Sequence, residues 1–371
     1  MAKTFKKPGR VAVGMSGGVD SSVAAALLQQ QGYDCFGIFM HYWSDPTGIE
    51  SRLPENQCCS VPNYEDVRRV CAKLGIELYT LNFDDLFKTK VVDYFLDEYA
   101  AGRTPNPCIE CNKHVKFGAF WAKAHQLGAD YLATGHYVRQ KNNGGRSRLF
   151  VAADDKKDQS YFLYGLKPEV LAHTLFPIGK YTKPQVRRIA ARFGLATAQK
   201  AESVDVCFVK ETHHNDFLTR HLKMKPGKII STAGAIIGDH IGLPLYTIGQ
   251  RRGINLPGGP WYVCGSDQAK NELIVTNHPD DPKLSQSTIV MSGVNWLSGV
   301  APKLPYRCAV RVRYHSASIP TIGTKQVADE YEIIFDTPQR AVTPGQSVVI
   351  YRRHWFGPEE LIGGGVINRA Q

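Results

Sequence analysis

The sequence predicts an α/β protein of three domains: a doubly wound parallel sheet at 1–209, a small central domain at 210–280, and a C-terminal antiparallel β-barrel at 281–371. Three observations lead to this prediction. The 371 residues exceed what a single hydrophobic core usually organises. Strand and helix patterns alternate through the first half, as in sheets built from β-α-β units. After Asp281 the pattern changes to short strands separated by turns, which is typical of a small barrel.

The strands of the first domain are short apolar runs bounded by turn residues. They are predicted at 10–15, 34–40, 76–83 and 130–135. Helices are predicted between them at 19–30, 64–75, 85–99 and 116–128. Ligands of such sheets bind at the carboxyl ends of the strands. We therefore expect the loops after Met15, Met40 and Thr134 to lie along one edge of the sheet.

The second half of the chain combines a basic helix with barrel strands. The helix is predicted at 182–195, and short segments punctuated by Gly and Pro follow to about residue 277. The predicted strand 308–314 alternates apolar with basic residues. Because side chains two apart on a strand share one face, Arg311 and Arg313 are expected to point outward together.

The chain is strongly basic, with 45 Lys and Arg against 34 Asp and Glu and a net charge of +11. This charge favours a polyanionic partner such as nucleic acid. We find neither a signal peptide nor an apolar run long enough for a membrane helix, so we expect a soluble, cytoplasmic protein. Nine cysteines are an odd number in a chain too long to need a disulfide scaffold, which indicates reduced thiols.

The stretch "GMSGGVDSS" at 14–22 joins the first predicted strand to the first helix. Gly17 and Gly18 allow a tight turn with open N–H groups, and the start of a helix attracts anions. The pattern is neither a Walker phosphate loop nor a dinucleotide fingerprint. Asp20 beside bound phosphates is explained if a divalent cation such as Mg²⁺ bridges them. The alternative is an ordinary turn with a helix cap.

A second motif, "GRTPNPCIECNKHVKF" at 102–117, holds Cys108 and Cys111 in a C-x-x-C arrangement. A following helix and nearby basic residues favour the thiolate, which is the reactive form of a cysteine. Cys207, in a segment expected to be extended, is a third candidate thiol. A zinc knuckle would need a fourth ligand. Cys58 and Cys59 are weak candidates for metal ligands, and the remaining cysteines fit core positions.

The loop at 16–22 resembles the pyrophosphate-binding loop of the PP-loop ATPases. Together with the C-x-x-C motif, "ATGHY" at 133–137, "KDQSYFLY" at 157–164, "YTIGQRRGI" at 246–254 and "TPGQSVVIY" at 343–351, the chain closely resembles the bacterial tRNA-specific 2-thiouridylases. The resemblance implies ATP-dependent thiolation at C2 of the wobble uridine of tRNA. In that reaction ATP adenylates uracil O2, and persulfide sulfur from a cysteine desulfurase or a sulfur-relay protein replaces the activated oxygen.

The resemblance also implies roles for individual residues. Cys111 corresponds to the nucleophile and Cys207 to the persulfide carrier. The ATP-site positions are Gly14, Met15, Ser16, Gly17, Gly18, Val19, Asp20, Ser21, Met40 and Gly135. Those that meet the target base are Asn106, Pro107 and Cys108. Those that contact tRNA, in the first domain and the barrel, are His136, Lys157, Asp158, Gln159, Arg313, Tyr314 and Gln346.

One departure leaves the sulfur chemistry open. Many relatives carry aspartate where this chain has Cys108. A thiol there supports an alternative in which Cys108, Cys111 and Cys207 hold an iron–sulfur cluster with one open iron. Two other functions remain as alternatives: a different PP-loop adenylating enzyme, and a cysteine-rich tRNA-binding or redox-sensing protein without catalysis.

Overall fold

The computed structural model describes residues 8–46, 60–143, 146–202, 207–209 and 214–371. Cys58 and Cys59 lie outside these residues. No helix in the described ranges is both long enough and apolar enough to cross a membrane.

A parallel sheet forms the centre of the N-terminal domain, as the alternating pattern predicts. The strands of this part of the chain are β1 (Arg10–Met15), β2 (Asp34–His41), β3 (Leu78–Asn82), β4 (Tyr131–Ala133), β5 (Arg139–Asn143), β6 (Arg146–Phe150) and β7 (Thr174–Leu175). Five of them pair in the order β3-β2-β1-β4-β7, all parallel. The loops after β1, β2 and β4 therefore lie at one edge, which confirms the expectation from the sequence.

Helices cover the parallel sheet. They are α1 (Val19–Gln30), α2 (Val61–Leu74), α3 (Asp84–Phe87), α4 (Asp93–Ala100), α5 (Pro107–Glu110), α6 (Phe120–Gln126), α7 (Pro168–Ala172), α8 (Lys183–Arg192) and, after the sheet, α9 (His214–His221). A π-helical segment, Lys88–Val92, joins α3 to α4, and a second one, Cys111–Ala119, joins α5 to α6. The helix expected at 116–128 therefore begins earlier, at Pro107. Pro107 can begin the helix because proline is well suited to the first helical position. The C-x-x-C motif therefore lies inside the first turns of the helix.

A small four-stranded sheet forms the central domain. Its strands are β8 (Gly227–Ser231), β9 (Ile236–His240), β10 (Tyr262–Asp267) and β11 (Glu272–Thr276), in the order β10-β11-β8-β9. A compact cluster fills its interior, made of Ile229, Leu243, Ile254, Val263, Leu273 and Val275. This small core is separate from those of the other two domains.

The C-terminal domain is a closed antiparallel barrel of six strands. They are β12 (Ser285–Trp296), β13 (Tyr306–Arg311), β14 (Ile319–Val327), β15 (Glu330–Arg340), β16 (Ser347–Arg352) and β17 (Glu360–Ala370). The barrel closes where β12 pairs with β17. The β5–β6 hairpin, from the N-terminal half of the chain, extends the sheet by pairing β6 with β17. The sequence pattern did not predict that this hairpin would join the barrel sheet.

The N-terminal domain and the barrel share one hydrophobic core. Phe117 and Tyr161 from the first domain belong to the same buried cluster as Ala309 and Tyr351 from the barrel. The Tyr161 hydroxyl donates to the Ser347 carbonyl oxygen at 2.8 Å. Such a continuous core fixes the two domains relative to each other, and the C-x-x-C helix lies at their junction.

Candidate active site

The loop between β1 and α1 is built so that only glycine fits at its centre. Gly17 has φ +76°, and a Cβ atom there would lie 2.6 Å from the Asn63 carbonyl oxygen. Gly18 is extended and caps α1, and the Ser21 and Ser22 hydroxyls donate to its carbonyl oxygen at 3.2 and 2.9 Å. The loop thus brings the start of α1 to this edge of the sheet beside the exposed Ser16, and a glycine-rich helix start of this kind binds phosphates.

The loop after β4 packs directly against this turn. A Cβ on Gly135 would lie 2.6 Å from the Ser21 nitrogen and 2.7 Å from the Asp20 carbonyl carbon. Met15 and Met40 are 1% and 8% exposed, so their side chains belong to the core beneath the loop. Only their backbone atoms are positioned to meet a ligand at this edge.

Asp20 is held by a lysine that the sequence did not single out. Lys183 Nζ lies 2.9 and 2.8 Å from the two carboxylate oxygens of Asp20, and the Tyr137 hydroxyl donates to Oδ1 at 2.8 Å. The Lys183 side chain is only 10% exposed and also pairs with Glu202 at 3.4 Å. Lys183 begins α8, and the amphipathic pattern of that helix gave no hint of this contact. The mouth of the loop therefore contains a fixed carboxylate and a fixed ammonium.

The three thiols singled out by the sequence lie around the core shared by the two domains. Cys111 is 5% exposed and belongs to that core, Cys207 packs against it, and Cys108 is half-buried. Cys207 lies at a turn, not in the extended strand that the sequence suggested. Its neighbour Phe208 anchors it, packing on Phe95 at 5.4 Å between ring centroids.

The seven cysteines of the described residues form no disulfide. Within the same residues, no three His, Cys, Asp or Glu side chains are grouped so that they could hold a metal ion. The three candidate thiols therefore do not form a cluster-binding set in this conformation, and we derive no chemical step through an iron–sulfur cluster.

All three domains meet at the segment that leads into the C-x-x-C helix. Thr104 N donates to the Pro344 carbonyl oxygen at 2.9 Å, and Gln346 Nε2 donates to the Thr104 carbonyl oxygen at 2.9 Å. The Thr104 hydroxyl is 3.1 Å from that of Thr247 in the central domain. These contacts set the entry to Asn106, Pro107 and Cys108.

Tyr314 approaches the same region from the barrel. Its ring lies 4.3 Å from that of Phe162 between centroids. Burial first, then the negative charge of Asp158, raises the pKa of Tyr314 to about 12.

The other residues expected to contact RNA differ in solvent exposure and in the contacts they already make within the protein. Lys157 is 38% exposed and pairs with Glu202 at 2.5 Å. Gln159 Oε1 accepts from Tyr137 N at 2.9 Å. Asp158 is 4% exposed and accepts from Ala152 N at 2.9 Å and from the Ser160 hydroxyl at 2.8 Å.

The expectation that Arg311 and Arg313 point outward together is wrong. Arg311 is 17% exposed and pairs with Asp158 at 2.7 Å and Glu359 at 3.4 Å. Arg313 donates to the carbonyl oxygens of Ile248 and Ala341. β13 ends at Arg311, so Arg313 lies beyond the strand expected at 308–314, and the N-terminal and central domains cover both side chains.

We expect Arg311→Ala to lower the free energy of unfolding by roughly 3–5 kcal/mol, because it leaves the buried Asp158 carboxylate without its cation. Urea denaturation would measure the change. Arg307 is the matched control, because it lies on the same strand but is 70% exposed where it pairs with Asp336. Arg307→Ala is expected to cost less than about 1 kcal/mol. Equal effects of the two substitutions would contradict a structural role for Arg311.

His136 is a neutral imidazole at physiological pH. Its ring packs against Phe117 at 5.6 Å between centroids, and Nδ1 lies 2.8 Å from the Thr134 hydroxyl. Burial of the ring, with Lys116 as a smaller cause, lowers the pKa of His136 to about 3. At neutral pH the ring therefore offers hydrogen bonding and stacking but no charge.

This low pKa predicts a pH-dependent stability. Between about pH 6.5 and pH 3 the unfolded chain binds a proton at His136 that the folded chain does not, so acidification destabilises the fold. We expect His136→Asn to lose less stability than the wild type between pH 7.5 and pH 5, as measured by urea midpoints. An identical loss in both proteins would show that His136 titrates normally.

Comparison with known proteins agrees with this architecture. Three family models match in succession: the tRNA methyl transferase HUP domain at 9–211, the tRNA methyl transferase PRC-barrel domain at 215–277, and the aminomethyltransferase beta-barrel domain at 286–367. The fold and the loop thus define a HUP-domain protein of the PP-loop class with two appended β domains.

Full-length relatives identify the family within this class. The chain is 45% identical over 366 residues to the tRNA-specific 2-thiouridylase MnmA of Proteus mirabilis, covering 97% of each protein. It is 46% identical over 376 residues to the protein of the same name from Escherichia coli O1:K1 / APEC, covering 100% of this chain and 98% of that one. The chain belongs to the tRNA-specific 2-thiouridylase family.

A likeness to solved structures is much weaker. A 4-thiouridine synthetase in complex with RNA and bound ATP aligns with a TM-score of 0.33 at 16% identity, covering 54% of this chain and 45% of that one. A likeness at this level adds nothing to the family assignment.

Proposed function

We propose that the chain is an ATP-dependent tRNA-uridine 2-sulfurtransferase that acts on the wobble uridine. One observation carries the proposal: the phosphate-binding loop and the C-x-x-C helix are packed together at one edge of the sheet. Phe117, on the helical segment that begins at Cys111, contacts the ring of His136. His136 follows Gly135, which packs on the first turn of α1. Activation by ATP and attack by sulfur can therefore occur on one base.

ATP would bind with its phosphates at the loop 16–18. The open N–H groups and the start of α1 would hold the phosphate oxygens, and Lys183 would neutralise part of their charge. Magnesium is commonly bound by one or two carboxylates together with substrate phosphates, so the fixed Asp20 carboxylate fits this ion. Bound Mg²⁺ would supply charge stabilisation for departing pyrophosphate.

The chemistry runs in two stages. Uracil O2 attacks the α-phosphorus of ATP, which releases pyrophosphate and converts O2 into a good leaving group as part of AMP. The terminal sulfur of a Cys207 persulfide then attacks C2 and expels AMP, leaving the base joined to Cys207 through a disulfide. The Cys111 thiolate attacks the Cys207 sulfur, which frees the thiocarbonyl and forms a Cys111–Cys207 disulfide. An external thiol reductant restores both cysteines.

An alternative second stage forms and breaks the same bonds overall. Cys111 first attacks the persulfide, forming the same disulfide and releasing hydrosulfide, which then attacks C2. In both routes the sulfur enters from a donor of the cysteine desulfurase or sulfur-relay class. We expect the reaction to take place in the cytoplasm, where tRNA and ATP are both available.

The residues assigned to RNA binding fall into two groups: those proposed to touch the RNA and those that hold other elements in place. We infer that Lys157, Gln159, Tyr314 and Gln346 meet the RNA. Gln346 contacts the segment that leads to Cys108, and Lys157 pairs with Glu202 beside Lys183 at the ATP loop. His136 would contact the base or sugar as a neutral ring. Asp158 and Arg313 act through the elements they hold in place. The ranges 1–209, 210–280 and 281–371 then serve as a catalytic domain, a central tRNA-binding domain and a barrel, although β5 and β6 join the barrel sheet.

Nucleoside mass spectrometry tests the proposal. Aerobically purified, iron-free protein is incubated with unmodified tRNA, ATP, Mg²⁺ and a persulfide donor, and the tRNA is digested. We expect 2-thiouridine, and none when ATP or the donor is omitted. Pyrophosphate release without tRNA would favour another PP-loop adenylating enzyme. A requirement for anaerobic reconstitution with iron would favour the cluster alternative.

A further inference from the structure

Two large aromatic side chains stand in solvent at the turn between β16 and β17. Trp355 is 100% exposed and Phe356 is 97% exposed. Adjacent aromatic side chains bury a large apolar area when they find a partner, and leaving both in water forgoes that gain. A single exposed leucine is normal on a protein surface, whereas an exposed pair of large aromatic side chains indicates a binding surface.

The base of this turn is firmly held. Arg353 Nε donates to Glu359 Oε1 at 3.2 Å, and its Nη2 donates to the Ser318 carbonyl oxygen at 3.1 Å. His354 Nε2 lies 3.0 Å from Glu360 Oε2, and the His354 ring packs on Phe150 at 6.0 Å. The two aromatic side chains are thus presented from a fixed platform.

Positive charge surrounds the platform. Arg148, Arg352 and His354 converge on Glu360, whose side chain is 7% exposed. Lys141 Nζ lies 5.2 Å from the Phe150 ring centroid, on the same β5–β6 hairpin as Arg148. The cations of this face, which include Arg146 and Arg353, outnumber the two carboxylates of Glu359 and Glu360. An excess of arginine beside exposed aromatic rings suits a partner that offers both phosphates and open base faces.

The arginines also line a cavity of about 320 Å³ next to the turn. Arg146, Arg148 and Arg352 form one side, while Trp296 and Pro302 contribute an apolar wall. Its size falls within the range of small-ligand pockets. The cavity therefore combines cations with an apolar surface, as the turn itself does.

We propose that the Trp355 face, made of Trp355, Phe356, Arg146, Arg148, Arg352 and Arg353, is a second RNA-contact surface of the enzyme. Trp355 and Phe356 stack on unpaired bases while the arginines bind the neighbouring phosphates. This inference rests on the proposed function, because it takes the RNA to be the substrate tRNA. The face lies at the far end of β16 from Gln346, about 20 Å away at the rise of a strand. One tRNA can therefore reach both places.

The test measures binding of full-length tRNA by fluorescence anisotropy. We expect the double variant Trp355→Ala/Phe356→Ala to bind about tenfold more weakly, as base stacking on aromatic side chains contributes on this scale. Because both side chains are exposed, the fold should be unaffected, and a thermal melt checks this. The matched control, Trp355→Phe/Phe356→Trp, keeps both aromatic rings and should bind like the wild type. Pyrophosphate release at saturating tRNA should be the same in all three proteins.

Each outcome decides the proposal. Weaker binding by the alanine variant together with wild-type binding by the aromatic exchange supports RNA stacking. Unchanged tRNA affinity overturns it, and if sulfur transfer from the donor protein falls at the same time, the face docks a protein instead. Failure of the proposed function looks different: the wild-type chain itself would then bind tRNA without thiolating it, whatever residue 355 is.

Discussion

Cys207→Ser is expected to abolish 2-thiouridine formation while tRNA-dependent pyrophosphate release continues. The serine hydroxyl cannot carry persulfide sulfur, whereas the substitution leaves Asp20 and the loop at 16–18 unchanged. Thiolation should fall by at least about a thousandfold, since the loss removes a covalent step and not a single contact. Nucleoside mass spectrometry and a pyrophosphate assay on the same sample would measure the two stages separately.

Cys111→Ser separates the two thiols. It should also yield no free 2-thiouridine. The first route then stops with tRNA joined to Cys207 through a disulfide, whereas the hydrosulfide route stops with a persulfide on Cys207, and mass spectrometry of the intact protein distinguishes the two. Cys264→Ser is the matched control, because burial, then the Asp281 charge, raises the pKa of that central-domain thiol to about 11 and keeps it protonated. Normal thiolation by Cys207→Ser would place the sulfur carrier on another residue.

Asp20→Asn is expected to lower tRNA-dependent pyrophosphate release by about a hundredfold or more, because it removes the carboxylate proposed to hold the metal at the phosphates. The substitution keeps the size of the side chain. tRNA binding should persist, since the barrel and the Thr104 segment do not contact Asp20.

Asp154→Asn provides a control that touches the same lysine. Asp154 Oδ2 accepts from the Lys183 backbone nitrogen at 2.8 Å, so it helps to position α8 without facing the phosphates. Its substitution should leave pyrophosphate release within about threefold of the wild type, well below the loss of a metal-binding carboxylate. If both variants lose activity equally, the role of Asp20 is to hold Lys183 and not to bind a cation.

Much of the first domain could be predicted from the sequence because its signals are local. A buried parallel strand is a continuous apolar run, and a helix repeats its apolar positions every three or four residues. Gly17 and Asp20 were identified for the same reason: the loop, the helix start and the acid occupy adjacent positions. The helix of the C-x-x-C motif began nine residues earlier than expected, since Pro107 starts a helix as readily as it ends a loop.

Contacts between distant positions could not be predicted in this way. Lys183 lies 163 residues from Asp20, and nothing in the pattern of α8 marks it as the partner of that carboxylate. The alternation expected for Arg311 and Arg313 showed neither that β13 ends at Arg311 nor that other domains cover both side chains.

The sequence by itself determined the α/β class and singled out the loop at 16–22 and the three candidate thiols, because residue chemistry and short spacings specify them. Only the tertiary structure decided that the β5–β6 hairpin joins the barrel and that Asp158 and Arg311 form a buried pair. Each of these depends on which surfaces meet when the domains pack. Which surfaces meet is decided by burial and shape complementarity over the whole chain, and no repeating pattern within a single segment encodes it.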